Sequence, residues 1–154
     1  MRILKIGRKV QEAREDFLLE TIEFYSKDPV NLRARNGANC SYSPMDKPGN
    51  KGCAIGRHLS PYHQKLADSK DNSTWSQVIK GLPYEESLPL INKVPKKLAF
   101  LGDDFLFSIQ RLHDENLNWN SEGLSQLGLC KVEQMVEHHD LRKTVFIKYT
   151  SNIK

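Results

Sequence analysis

The segment from Asn39 to Leu59 constrains the fold of this chain more than any other, because it can be neither a regular helix nor a long strand. Five residues that favour turns fall within it: Pro44, Pro48, Gly49, Asn50 and Gly52. A cysteine lies on each side of these turns. We predict a short hairpin between Cys40–Ser43 and Lys51–Cys53, followed by a helix that begins at Ala54.

Apolar residues at helical spacing predict that most of the remaining chain is α-helical. One amphipathic helix is predicted over Lys9–Lys27, and Pro29 ends its pattern because the residue before a proline is pushed out of the helical region. The longest predicted helix runs from Pro95 to about Glu115. Its apolar stripe consists of Leu98, Leu101, Phe105, Ile109 and Leu112.

Shorter helices are predicted where capping residues precede apolar ones. Ser60-Pro61 begins one helix, a capping cluster before Trp75 begins another, and a further short helix is predicted over 84–91. A last helical region is predicted from Asn118 to about Asp140, and Gly128 is expected to break it into two pieces.

These elements predict an α+β fold that is mainly α, a compact helical domain with a small β-hairpin. Residues 2–6 and Thr144–Tyr149 alternate weakly in polarity, so they are candidate edge strands that could pair with each other. A chain of 154 residues is expected to form a single domain, residues 1–154.

Composition narrows the expected surroundings of the protein. Three cysteines, an odd number, favour free thiols in a reducing cytosol over a disulfide framework. No apolar run approaches the roughly 20 residues of a membrane-spanning helix, so no membrane partner is expected. Lys and Arg number 23 against 19 Asp and Glu, an excess of four that suits an anionic partner but does not require DNA or RNA.

An anion-binding site is the first functional hypothesis. A helix that begins at Ala54 would expose backbone amides at its N-terminus, where phosphate binds readily. Gly56 would keep this turn free of side-chain bulk, and the guanidinium groups of Arg33, Arg35 and Arg57 could add bidentate contacts. Three aromatic residues could stack on a base: Tyr42, Tyr62 and Trp119. The alternative is that Ala54 and Gly56 are small only for packing and that the arginines are solvated.

A zinc site is the second hypothesis, since Cys40, Cys53, His58 and His63 are residue types that suit tetrahedral zinc. Neither cysteine belongs to a Cys-x-x-Cys knuckle, and a hairpin would use both as small buried apolar residues. Cys130 lies within a predicted helix and is a weaker candidate ligand. No metal or other cofactor is therefore assigned.

Histidines next to aspartates suggest a third hypothesis, because metal-dependent His-Asp phosphohydrolases gather such residues from several helices. The chain contains His113-Asp114 and His138-His139-Asp140. Adjacent residues on a helix point about 100° apart, and His113 falls beside an apolar stripe, where a buried, hydrogen-bonded imidazole is the commoner case. No catalytic residue is assigned.

Several short motifs together resemble one group of proteins. Cys40-Ser-Tyr is followed after a loop by Gly52-Cys-Ala-Ile-Gly-Arg57, and later by Leu112-His-Asp114 and Asn118-Trp-Asn120. Over roughly Tyr25 to Val136 the chain resembles small uncharacterised accessory proteins of tailed phages and prophages. The resemblance implies a phage protein that acts in the cytoplasm of the bacterial host, and it implies no particular activity.

Small phage accessory proteins of this size commonly antagonise host defence. We therefore expect a phage-encoded anti-defence protein that binds and sequesters a nucleotide-derived immune signalling molecule without cleaving it. A homo-oligomer is expected, because subunits can enclose a small ligand between them. One alternative is an inhibitor that binds a host defence protein through residues 75–91. A further alternative is a metal-dependent phosphodiesterase that acts on a signalling nucleotide.

Overall fold

The computed structural model describes residues 2–36, 39–69 and 96–150. In chain order, the helices and strands of these residues are α1 (Arg2–Ser26), α2 (Pro29–Leu32), β1 (Arg35–Asn36), β2 (Asn39–Cys40), α3 (Pro61–Asp68), α4 (Lys96–Leu101), α5 (Asp103–Asp114), β3 (Trp119–Asn120), β4 (Gly123–Leu124), α6 (Gln126–His138) and α7 (Ile147–Thr150). Single turns of 3-10 helix cover Gly56–His58, Asn116–Asn118 and Lys143–Phe146. The predicted α+β, mainly α fold class is confirmed.

The chain forms two compact units. One, here called the terminal unit, comprises Met1–Val30 and Glu115–Lys154, and the other, the central unit, comprises Asn31–Asp114. The single domain over residues 1–154 stays a prediction. The helices predicted near Trp75 and over 84–91 lie outside the described residues.

The core of the terminal unit forms around α1. Leu18, Ile22 and Tyr25 are fully buried on one face of this helix, and their spacing of four and three residues is that of a helical stripe. The ring of Tyr25 packs edge-on against Trp119 with centroids 6.1 Å apart. Phe17 of α1 is also buried, and further buried apolar residues of this core come from α6 and the segment after it: Val132, Met135, Val136, Leu141 and Phe146.

The core of the central unit is built from α4, α5 and the segment that follows β2. Its fully or almost fully buried apolar side chains are Cys53, Ala54, Ile55, Leu98, Leu101, Phe105, Leu106, Ile109 and Leu112. The predicted single helix from Pro95 to Glu115 is wrong in one respect, since Gly102, at φ +86°, separates α4 from α5. Glycine adopts this left-handed conformation readily, which makes it a common helix terminator.

The predicted terminal strands are wrong, because both segments are helical. Residues 2–6 continue α1, and Lys143–Thr150 forms a 3-10 turn followed by α7. As a strand, this segment would place Val145, Ile147 and Tyr149 on one face, but Ile147 is 61% exposed, whereas Phe146 is completely buried. A short alternating pattern cannot distinguish a strand from a helical turn that buries one aromatic residue.

The first hairpin does not join the two predicted segments, Cys40–Ser43 and Lys51–Cys53. β1 pairs antiparallel with β2, which places Arg35 opposite Cys40 and Asn36 opposite Asn39. Of the pairing expected between Cys40–Ser43 and Lys51–Cys53, one bond is present, from the Cys53 amide to the Ser41 carbonyl oxygen at 2.8 Å.

A hairpin replaces the start of the last predicted helix. β3 and β4 pair antiparallel, and α6 begins only after Ser125, whose Oγ accepts the amide hydrogen of Gly128 at 3.1 Å. Gly128 does not break the helix. It allows a close approach instead, since a Cβ at this position would lie 2.1 Å from the carbonyl oxygen of Asn118.

Candidate functional site

No helix begins at Ala54, so the predicted exposed N-terminus is wrong. The chain forms only a 3-10 turn at Gly56–His58. The Gly56 amide donates to Cys53 Sγ at 3.4 Å, and the Arg57 amide donates to the Cys53 carbonyl oxygen at 3.1 Å. Because these amides are bonded within the turn and Ala54 and Gly56 are buried, the turn offers no row of exposed donors to an anion.

Gly56 is required for packing, as the alternative interpretation proposed. A Cβ on Gly56 would lie 2.2 Å from the carbonyl oxygen of Tyr42, and one on Gly52 would lie equally close to the same atom. Gly52 also has φ +100°, a conformation that L side chains rarely adopt. The two glycines therefore let the turn press directly against the backbone at Tyr42.

Two polar side chains fix the loop that carries Tyr42. Asn50 is buried; its Oδ1 accepts the amides of Met45 and Gly52 at 3.0 Å each, and its Nδ2 donates to the Asn31 carbonyl oxygen at 2.8 Å. The carboxylate of Asp68 accepts the amides of Tyr42 and Ser43 at 2.7 and 3.1 Å.

These bonds satisfy backbone groups that lie in no regular element. Side-chain hydrogen bonds to α3 and to a buried asparagine thus hold the turn-rich loop in one conformation.

Arg33 is buried and links the start of the central unit to the end of α5. Its Nε and Nη2 donate to the carbonyl oxygen of His113 at 2.8 and 2.5 Å. This carbonyl belongs to the last turn of α5, where carbonyl groups lack helical partners and a cation is favoured by the helix dipole. Arg33 therefore acts as a helix C-cap for α5.

The segment 31–69, here called the basic segment, carries an excess of positive charge. It contains six Lys and Arg residues against two Asp, an excess of four that equals the net charge of the whole chain. Lys47 Nζ donates to the Arg35 carbonyl oxygen at 3.0 Å. The half-buried Arg35 side chain has a buried Nε that makes no hydrogen bond to any described residue.

The aromatic residues proposed for stacking lie in different environments. Tyr42 is 4% exposed and Trp119 7% exposed, so both are core residues, and Trp119 belongs to the terminal unit. Tyr62, on α3, is 59% exposed. Tyr62 is therefore the one member of the proposed aromatic set whose ring is open to a ligand.

His113 is completely buried and both of its ring nitrogens are used. Nε2 accepts the amide hydrogen of Ala34 at 3.3 Å, and Nδ1 lies 2.7 Å from Asp114 Oδ1. Since an amide can only donate, Nε2 must be unprotonated, and the proton sits on Nδ1 and is donated to the carboxylate.

Burial lowers the pKa of His113, opposed by Asp114 and assisted by the charges of Arg33 and Arg35. His113 is thus a neutral structural histidine.

Two of the residues considered for zinc binding, Cys53 and His63, are buried. Cys53 is a free, buried thiol, and His63 is buried with its Nδ1 against Ser60 Oγ. The side chain of Cys40 lies outside the described residues. Within each unit taken by itself, the described residues contain no three His, Cys, Asp or Glu ligand atoms within 4.8 Å of one another. His138 is the last residue of α6, in the terminal unit, and His139 and Asp140 follow it.

Comparison with known proteins gives this chain no relative: no family model, curated protein or solved structure matches it. Among the described residues, no helix has both the length and the apolar character needed to cross a bilayer.

Proposed function

We propose that this protein binds an anionic, nucleotide-derived signalling molecule through its basic segment and holds it without cleaving it. The observation that carries the proposal is the unsatisfied guanidinium group of Arg35. Its buried Nε–H has no hydrogen-bond acceptor among the described residues, and an unsatisfied buried donor is unfavourable by about 1–3 kcal/mol. A phosphate oxygen is a strong acceptor for such a guanidinium group.

The surroundings of Arg35 support an anion as its partner. The whole net charge of the chain is concentrated in the basic segment, so the electrostatic potential there favours anions. One of the two opposing carboxylates, that of Asp68, is directed at two backbone amides. Arg57 lies in the 3-10 turn, and five residues later Tyr62 presents a ring that could stack on a base.

The environment of His113 supports binding of the ligand without cleavage. A metal-dependent phosphodiesterase needs histidine nitrogens that are available to bind a metal. Both nitrogens of His113 are used by Ala34 and Asp114, so this His-Asp pair holds the fold of the central unit instead.

The resemblance to tailed-phage accessory proteins supplies the biological setting of the proposal. In the cytoplasm of an infected bacterium, a protein that removes a signalling nucleotide would act as an anti-defence protein. Assembly as a homo-oligomer would enclose more of the ligand than one chain can, and light scattering with and without nucleotide would measure that assembly.

Calorimetric titration with cyclic dinucleotides and cyclic ADP-ribose species tests binding. We expect Arg35→Ala and Arg57→Ala each to weaken binding about tenfold or more, the size expected for a lost charge-assisted hydrogen bond. Arg8→Ala is the matched control. It removes a guanidinium group of the terminal unit that pairs with Glu12 at the surface, and it should bind like the unaltered chain.

Mass spectrometry of the ligand released after denaturation tests retention, and the released nucleotide should be intact. If no nucleotide of either class binds, the proposal is wrong. Copurification of a stoichiometric host protein without nucleotide would support direct inhibition of a defence protein instead. Conversion of the ligand would indicate an enzyme.

A further inference from the structure

A cleft in the terminal unit has the size and the mixed lining of a small-molecule site. Its volume is about 410 Å³, within the range of roughly 300–1,000 Å³ that is usual for ligand pockets. Side chains from α1, the β3–β4 turn, α6 and α7 line it. None of the residues proposed above for nucleotide binding takes part.

Four charged side chains face this cleft, two of each sign: Glu23, Lys27, Glu122 and Lys148. None of them forms an ion pair with another described residue. Glu23 and Lys27 are four residues apart on α1, a spacing at which opposite charges often pair, yet here each remains available. The cleft therefore presents carboxylates and ammonium groups that form no ion pair among the described residues to the same small volume.

The rest of the lining includes apolar and aromatic side chains. Leu124 and Leu129 contribute aliphatic surface, and Tyr149 contributes a half-buried ring, with Lys148 Nζ 5.6 Å from its centroid. Burial and the nearby charge of Glu23 raise the pKa of Tyr149. Its hydroxyl group is therefore protonated at neutral pH and can donate a hydrogen bond to a ligand.

Close packing of Gly123 against Ser26 fixes the part of the lining formed by α1 and the β3–β4 turn. Gly123 has φ +134°, and a Cβ at this position would lie 3.1 Å from Ser26 Oγ. The turn between β3 and β4 thus rests directly on α1. Because the walls come from packed elements of one unit, the cleft is formed before any ligand arrives.

We propose that this cleft binds a small zwitterion with an apolar body, the chemistry of a free aromatic amino acid. Lys27 and Lys148 would face its carboxylate, Glu23 and Glu122 its ammonium group, and Leu129 and Tyr149 its side chain. A polyanion such as a nucleotide fits less well, because two carboxylates would repel it. A neutral apolar ligand would leave four charges at the rim without a partner.

Amide chemical shifts of the full chain, titrated with three related probes, test this inference. L-phenylalanine carries both charges, phenethylamine lacks the carboxylate, and 3-phenylpropionate lacks the ammonium group. We expect L-phenylalanine to shift the amides of Gly123, Leu129 and Tyr149 and to bind at least about tenfold more tightly than either single-charge probe, as expected for the loss of one charge-assisted contact.

Charge-removing variants separate the two ends of the ligand. The double variant Lys27→Met/Lys148→Met should bind L-phenylalanine no better than phenethylamine, because it has lost the groups that face the carboxylate. Lys9→Met/Lys143→Met is the control: it removes two exposed lysines outside the cleft and should keep the full preference. Leu129→Trp should fill the cleft and abolish the shifts while thermal unfolding remains cooperative.

Three results would overturn the inference. They are equal affinity for all three probes, shifts that lie outside the cleft, and absence of any shift at millimolar L-phenylalanine. Since no residue of the basic segment lines the cleft, these results leave the nucleotide proposal unaffected, and failure of nucleotide binding leaves the cleft unaffected.

Discussion

Acid should destabilise the central unit through His113, and the size of this effect follows from its environment. The imidazole is neutral, completely buried and bonded through both nitrogens, and its pKa is lowered from the ordinary value of 6.5. The unfolded chain therefore binds a proton near that pH while the folded chain does not. The stability that His113 contributes is complete above pH 6.5 and is lost as the pH falls below it.

If His113 stays neutral in the folded chain, the change in its contribution to stability with pH comes only from protonation of the unfolded chain. Between about pH 7.5 and about pH 5.5, protonation of an ordinary histidine stabilises the unfolded state by about 1.4 kcal/mol. Replacing His113 with Gln removes the titration and keeps an acceptor for the Ala34 amide. Urea unfolding followed by circular dichroism at each pH gives both free energies.

The comparison of the two chains isolates this one group, because the other titrating residues are common to both. We expect His113→Gln to be the less stable chain at pH 7.5, since it loses the bond to Asp114. Its deficit should shrink at pH 5.5, by at most about 1.4 kcal/mol. A deficit that stays constant over this range would show that His113 is already charged or accessible, and would refute the assigned tautomer.

Two further predictions concern packing and a buried carboxylate. Gly56→Ala should lower the free energy of unfolding by about 2 kcal/mol or more in urea titrations, because its methyl group would overlap the Tyr42 carbonyl oxygen. The control is Gly7→Ala, which has no atom near the new methyl group and should stabilise α1 by about 1 kcal/mol. Equal effects of the two substitutions would contradict this prediction. Burial raises the pKa of Glu15, but hydrogen bonds and charge from Arg142 outweigh it and hold the pKa below 4.5. Glu15→Gln should therefore lower the thermal unfolding temperature at pH 7. The difference in unfolding temperature between the variant and the unaltered chain should disappear as the pH falls below 4.5 and Glu15 is protonated. An unchanged difference at acid pH would contradict this prediction.

The main helices could be predicted from the sequence because their signals are local. The stripe of α1 needs only the spacing of Leu18, Ile22 and Tyr25, and α3 begins at the predicted Ser60-Pro61 cap. The break between α4 and α5 also had a local signal, since a glycine followed by acidic residues ends one helix and begins the next. The strength of the apolar stripe obscured it.

The rest of the candidate site depends on contacts that no local pattern encodes. Arg33 caps a carbonyl group 80 residues later in the chain, and Asp68 accepts an amide 26 residues earlier. Arginine and aspartate are common surface residues, so their residue types alone predict solvation. The helix expected at Ala54 failed for a related reason, because tertiary packing of Gly56 against Tyr42 determined the conformation of that turn.

The central claim is that the basic segment holds a nucleotide and leaves it intact. Nuclear magnetic resonance tests both parts in one tube, since amide shifts locate the ligand and its phosphorus signals report its chemical state. A bound cyclic dinucleotide or cyclic ADP-ribose should shift amides within residues 31–69, around Arg35 and Arg57, and its phosphorus signals should remain those of the starting compound after prolonged incubation. Unshifted amides in this segment, or phosphorus signals of a cleaved product, would contradict the account.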